Sequence, residues 1–242
     1  MSEQDDDAAA SSPSPLVAED DNGDFGYYEA NARAYFGETV DVDLAPIYER
    51  FLSRVGPAGE GPRILDAGCG SGRDSLALSR MGYDVDAFDA SPAMAALAST
   101  LLGGKPVKVL KFQDVDLHER KFDGVWACAS LLHVPPSELP DAFGRLAAAL
   151  KEPGGVLYAS FKYGSYSHGG QRQHRDGRRF TDLDEVGLEM LLREVVPAMA
   201  ILETWTTLDR RPGRKGETWL NARLVRSSRL LPQPPSDQAD EA

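Results

Sequence analysis

The stretch ILDAGCGSGRDSLAL, Ile64 to Leu78, carries three alternating glycines, Gly68, Gly70 and Gly72, directly after a short apolar run and an acid, Asp66. Glycine at alternate positions permits positive φ and lets backbone meet a ligand with no side chain between them. In an open α/β sheet, ligands lie at the carboxyl ends of strands, near the point where strand order reverses. A dinucleotide site asks for G-x-G-x-x-G. Here the spacing is G-x-G-x-G, and Arg73 stands where the last glycine would be. Asp89 closes the next apolar run, 23 residues after Asp66. A carboxylate placed there can accept hydrogen bonds from both hydroxyls of a ribose.

Such a turn needs a strand before it and a helix after it, and the chain alternates accordingly. FGYYEANARAYFG and LAPIYERFLSRV read as amphipathic helices. RILDA reads as a buried strand, GRDSLALSRMG as a helix closing on Gly82, and YDVDAFD as a strand. SPAMAALASTLL opens a helix with Ser91 as N-cap and Pro92 at its first position. VKVLKF and FDGVWACA are strands, SELPDAFGRLAAALK a helix, and GGVLYASFK a strand. TDLDEVGLEMLLREV is a helix with an expected capping box from Thr181 to Asp184. AILETWTTLD and TWLNARLVR close the chain as a strand pair. This alternation predicts an α/β fold: a doubly wound, mostly parallel sheet with helices on both faces.

Taken in order, these motifs resemble the class I S-adenosylmethionine-dependent methyltransferases, over roughly residues 25–226. LDAGCGSGRDS is similar to the family's first motif, FQDVDL to the segment after its third strand, FDGVWACASLLHV to its fourth-strand motif and LAAALKEPGGVLYASF to the run into its fifth. Glu152, inserted before Pro153, departs from the last of these. The resemblance implies a Rossmann-like, seven-stranded sheet with an antiparallel edge strand, and S-adenosyl-L-methionine as cofactor. It assigns cofactor contacts to Asp66, Gly68, Gly70, Gly72, Asp89, Ala90 and Ala129, with Gln113 and Asp114 beside the adenine. Within the family, GCGSGRDSLALSRMGYDVDAFDASP is most similar to the tellurite-resistance type. SLLHV resembles enzymes that act on wobble uridine of tRNA, which keeps RNA as an alternative acceptor; a non-catalytic, cofactor-binding partner subunit is the other alternative.

YYEANARAY resembles the helix that covers the cofactor in many of these enzymes, so residues 25–55 are expected to form a helical lid. Tyr28, Ala32 and Tyr35 share one face of that helix. His133 and Tyr163 follow the fourth and fifth strands and are the expected catalytic side chains facing the acceptor, with His133 able to take a proton near neutral pH. The segment KYGSYSHGGQRQHRDGRRF brings Lys162, Arg175, Arg178 and Arg179 after the fifth strand, and RRPGRKG joins the last two strands. A basic rim there predicts a small, anionic acceptor. No interleaved aromatic ladder of the single-stranded RNA binders accompanies it, which favours a small molecule over nucleic acid.

The net charge of −12 is misleading when read whole: residues 1–24 hold eight acids and residues 231–242 three, with no Lys or Arg in either. The remainder has 27 acids and 26 bases. Both ends are poor in large apolar residues and are expected to be disordered tails around a methyltransferase domain of residues 25–230. Two cysteines, Cys69 and Cys128, form no disulfide framework and fit a reducing, cytoplasmic setting. No apolar run reaches membrane-spanning length. The four histidines show no metal-ligand spacing.

Overall fold

The computed structural model describes residues 24–117, 121–165, 171–195, 199–209, 211, 214 and 216–226. The two ends expected as disordered tails lie outside the described residues, save Asp24, which opens the first helix. Helices α1 (Asp24–Thr39) and α2 (Ala45–Val55) precede the sheet. Strand β1 (Arg63–Ala67), α3 (Arg73–Arg80), β2 (Asp84–Asp89), α4 (Pro92–Leu101) and β3 (Lys108–Val109) form the first half. The second half runs β4 (Gly124–Ala127), α5 (Leu139–Ala149), β5 (Val156–Lys162), a short hairpin of β6 (Arg172–Gln173) and β7 (Arg179–Phe180), α6 (Glu185–Val195), β8 (Met199–Leu208) and β9 (Thr218–Arg226).

The main sheet has seven strands in the order β3-β2-β1-β4-β5-β9-β8. β1 pairs in parallel with both β2 and β4, so the strand order reverses beside it. The glycine turn after β1 therefore opens into the crevice of the sheet. β9 runs antiparallel between β5 and β8, so the reversed strand is the penultimate one, and β8 at the edge points its carboxyl end the same way as β1. Successive strand residues alternate between two cores. Ile64, Val85, Trp126, Val156 and Tyr158 pack under α2 and α3, while Leu65, Val125, Leu157 and Ala159 face the cluster built with α5 and α6. Burial on both faces explains why these strands read as nearly continuous apolar runs.

Two expectations are corrected. The strand read over VKVLKF shrinks to Lys108–Val109, because the chain bends over the carboxyl edge: Leu110 N–H bonds to Asp89 O at 2.9 Å and Phe112 packs on Phe88. The capping box at Thr181 does not form. Asp184 caps α6 by accepting the Gly187 N–H at 2.8 Å, and the buried Thr181 instead donates its hydroxyl to Val134 O and its N–H to Leu132 O, each at 2.7 Å.

Behind the glycine turn, Asp74 in the first turn of α3 is buried and accepts from Tyr48 Oη of α2 at 2.7 Å and Trp126 Nε1 of β4 at 2.9 Å. Arg73 closes on the same carboxylate through Nε at 2.6 Å and Nη2 at 3.0 Å, and its Nη1 donates to Thr39 O at the end of α1. Burial alone would raise this carboxyl, but the Arg73 guanidinium and the hydroxyl and indole donors outweigh it and hold it below the usual range. Removing one partner of a buried ion pair leaves uncompensated charge and orphaned donors. Asp74→Ala should therefore lose about 3–5 kcal/mol of stability in urea denaturation; a loss under about 1 kcal/mol would show that Arg73, Tyr48 and Trp126 find other partners.

Candidate functional site

A cavity of about 820 Å³ opens at the carboxyl edge of the sheet, and its lining draws on α1, α2, the glycine turn, β2, the segment after β4, β5, the β6–β7 hairpin and the β8–β9 pair. Gly68 and Gly70 line it with φ of +74° and +55°. At Gly68 a Cβ would stand 2.5 Å from Ser130 Cβ, so the turn tolerates no side chain there. At Gly70 a Cβ would meet nothing within 4 Å, because the position faces open space in the cavity. Gly72 has a different use: it does not line the cavity, and a Cβ would stand 2.9 Å from Ala98, so it lets α3 approach α4.

Asp89, at the end of β2, lines the cavity and accepts the Gly70 N–H at 2.8 Å and the Ser91 N–H at 2.9 Å, one on each oxygen. An ionised carboxylate has about four acceptor sites, so these two bonds leave capacity for a ligand. Burial pushes the Asp89 carboxyl above its ordinary value, and the Ser91 and Gly70 N–H groups work against that shift. Asp66, by contrast, lies beneath the turn, 2% exposed, taking the Ser75 hydroxyl at 2.6 Å. Burial and the neighbouring Asp74 carboxylate raise its pKa. It supports the turn and does not line the cavity.

Ala90, Gln113, Asp114 and Ala129 all line the cavity. Gln113 bonds to Glu138. Ala129 sits at φ 51°, the one non-glycine positive φ among the described residues, with its N–H held by Ser160 Oγ at 2.8 Å. Tyr28 and Tyr35 bring α1 over the opening, their rings edge to face at 5.1 Å. Glu29 ties the same helix down, accepting the Ser91 hydroxyl at 2.7 Å and the Ala93 N–H at 3.0 Å at the start of α4. His133 follows β4, lines the cavity, and meets the Tyr28 hydroxyl through Nε2 at 2.9 Å.

The basic rim is not assembled as the sequence predicts. Tyr163 is 45% exposed, lies outside the lining and donates its hydroxyl to Glu185 at 3.0 Å. Lys162 is buried at the end of β5 between Asp209 at 3.2 Å and Glu217. Arg178 is 4% exposed and forks onto Asp176, through Nε at 3.1 Å and Nη2 at 2.6 Å. Arg175 is exposed and outside the lining, whereas Arg179 lines the cavity. Among the described lining residues Asp43, Asp74, Asp89, Asp114, Glu138 and Asp209 face Arg50, Arg73, Lys111, Arg179 and Arg211. The cavity is electrically mixed rather than basic.

Sequence reasoning missed the wall opposite the glycine turn. Tyr158 of β5, Trp205 and Thr207 of β8 and Asn221 of β9 line the cavity. Tyr158 Oη donates to Asn221 Oδ1 at 2.7 Å, and Asn221 Nδ2 reaches Thr207 Oγ1 at 3.0 Å and Trp205 O at 3.2 Å. Arg50 lies over the Trp205 ring at 4.7 Å. Aromatic side chains recurring on strands that share one edge are the only sequence signal that pointed here.

The strand order is that of the Rossmann-like methyltransferase fold, and residues 64–155 match the model of a family described as a methyltransferase domain. The ubiquinone biosynthesis O-methyltransferase of Xanthomonas axonopodis pv. citri is 36% identical over 123 residues, 48% of this chain and 49% of that protein. The chain thus matches about half the length of that curated relative. The fold is also that of Burkholderia thailandensis 1,6-didemethyltoxoflavin-N1-methyltransferase, solved with its named ligand and S-adenosylhomocysteine, at a TM-score of 0.65 and 22% identity over 84% of this chain and 86% of that one. A TehB-like methyltransferase from Corynebacterium glutamicum aligns at a TM-score of 0.59 and 18% identity over 83% of this chain and 98% of that one. No described helix is long and apolar enough to cross a membrane.

Both cysteines line the cavity yet are poor nucleophiles. Burial pushes the Cys128 thiol up to about 12 and raises Cys69 well above its usual value. A higher pKa means less thiolate, so alkylation by iodoacetamide near pH 8 should run at least about 100-fold slower in the folded protein than in denaturant. Equal rates, followed by mass spectrometry, would show that a reactive thiol faces the cavity.

Proposed function

We propose that this chain transfers a methyl group from S-adenosyl-L-methionine to a small acceptor held between His133 and the wall of Tyr158, Trp205 and Asn221. The observation that carries this reading is the joint geometry of Gly70 and Asp89: bare backbone facing open cavity, beside a half-buried carboxylate that lines it. Asp89 would hold the ribose hydroxyls, Gly68 and Gly70 the amino-acid end, Gln113 and Asp114 the adenine edge. When bound, the cofactor supplies a sulfonium-activated methyl group, so the protein's tasks are alignment, water exclusion and removal of one proton. Tyr28 and His133 form the pair placed to take that proton: the acceptor's hydrogen passes to the Tyr28 oxygen as the Tyr28 hydrogen passes to His133 Nε2.

The relatives that carry O- and N-methyltransferase names support a small-molecule acceptor, and so does a cavity partly covered by α1 and the β6–β7 hairpin. An anionic acceptor has less support than the sequence predicted, since Lys162 and Arg178 spend their charge on Asp209, Glu217 and Asp176. The aromatic wall fits a planar acceptor instead.

Titration calorimetry tests the cofactor. S-adenosylhomocysteine should bind and NAD should not. Asp89→Ala should weaken S-adenosylhomocysteine by about 2–4 kcal/mol, because charge-assisted bonds to the hydroxyls are lost. Because burial raises the Asp89 carboxyl above its ordinary value, the sign of the pH dependence follows: affinity is full where the carboxylate is ionised and is lost on acidification, at a higher pH than for an unperturbed Asp. The Asp89→Ala protein should lose that dependence. Gly70→Val, which places a branched side chain in the open space of the cavity, should fold and not bind. Binding that survives both substitutions would remove the cofactor from this turn.

A further inference from the structure

Arg178 was expected to bind substrate, but its surroundings describe another task. It sits on the turn of the β6–β7 hairpin, 4% exposed, with its fork on Asp176 and its remaining Nη1 donating to Tyr28 Oη at 3.1 Å. The guanidinium carbon lies 4.5 Å from the Tyr27 ring centre, 5.6 Å from Tyr28, 5.4 Å from Phe180 and 6.0 Å from Tyr35. A cation boxed by four rings and a bidentate carboxylate has no freedom to follow a substrate. Its hydrogen-bond partner is the hydroxyl that meets His133 Nε2.

We propose that Arg178 is a positioning residue that acts through Tyr28 to set the proton state of His133; this rests on the methyl-transfer reading above. An arginine only donates. With Nη1 donating into the Tyr28 oxygen, the phenol turns its own hydrogen toward His133 Nε2. That nitrogen then accepts, and the neutral imidazole carries its hydrogen on Nδ1, since one ring nitrogen's bond decides the state of the other. The same guanidinium stabilises negative charge growing on the Tyr28 oxygen as its hydrogen leaves. Tyr28 from α1 meets His133 through its hydroxyl, with the two rings edge to face at 5.2 Å, and Phe180 from β7 lies 5.3 Å from the imidazole, so both rings fix its orientation. Asp176 shares in the task, because it fixes the fork, and His174 Nδ1 in turn braces Asp176 at 2.9 Å.

The test is the imidazole ¹⁵N spectrum of the full-length, histidine-labelled protein at neutral pH, with the His133 signals assigned by His133→Gln. The wild type should show a protonated Nδ1 and an accepting Nε2. Tyr28→Phe and Arg178→Met should both move His133 to one shared, altered pattern. S-adenosylhomocysteine affinity, by calorimetry, should stay within about threefold in Arg178→Met, because the glycine turn and Asp89 are untouched. A folded Arg178→Met protein with the wild-type His133 pattern overturns the proposal. So does an unchanged pattern in Tyr28→Phe, which tests the link even where Arg178→Met fails to fold. None of these readings needs turnover, so absence of S-adenosylhomocysteine binding would count against the methyl-transfer reading alone.

Discussion

The site depends first on a buried carboxylate that never needs to touch a ligand. Asp74 gathers Arg73, Tyr48 and Trp126 behind the glycine turn, and Arg73 reaches on to Thr39. Through these bonds α2, α3, β4 and the end of α1 are joined at one point. The bonds fix α3 directly behind the turn, and α1 is anchored at its C-terminal end, where the helix leaves the cavity. A charge so deep in the protein is costly unless every lone pair is used, and here three side chains with N–H or O–H donors use them.

A second constraint acts at the opening. Glu29, Tyr28 and Tyr35 hold α1 against α4, the hairpin and the cavity, and Arg178 joins helix to hairpin. The roof is therefore a set of charge-assisted bonds between segments far apart in the chain. The charges of these bonds are consumed internally rather than offered to the cavity. The same reasoning explains why a segment rich in arginine produces a mixed cavity: Lys162 with Asp209 and Glu217, Arg172 with Asp182, and Arg211 with Asp209 are pairs closed within the protein.

Much of this was legible in the sequence, and the parts that were share a cause. The glycine spacing, the acid that closes β2, the Ser91 cap and the strand–helix alternation leave local marks in the sequence, whatever distant partners complete them. Ser91 does accept the Met94 N–H as its position implied. What could not be read was set by partners distant in the chain. Arg178 meets Tyr28 across 150 residues and Lys162 meets Asp209 across 47. Spacing alone gave Lys162 and Arg178 the look of a rim. Thr181 had the right spacing for a capping box, but its hydroxyl found Val134 O. Tyr163 stood one residue beyond the correct strand and pointed to Glu185 instead of the cavity. Gly72 matched a ligand motif and serves packing against Ala98.

The measurement that bears most directly on the account is amide hydrogen exchange with and without S-adenosylhomocysteine. Binding in the crevice should slow exchange at Gly68–Ser71, at Ala90 and Ser91, and at Phe112–Asp114, together with Tyr28–Tyr35 of the roof. Protection should be weak at the outer faces of α5 and α6, which lie on the other side of the sheet's core. Saturating S-adenosylhomocysteine that leaves the glycine turn exchanging at its free rate would contradict the central claim that this turn and Asp89 hold the cofactor.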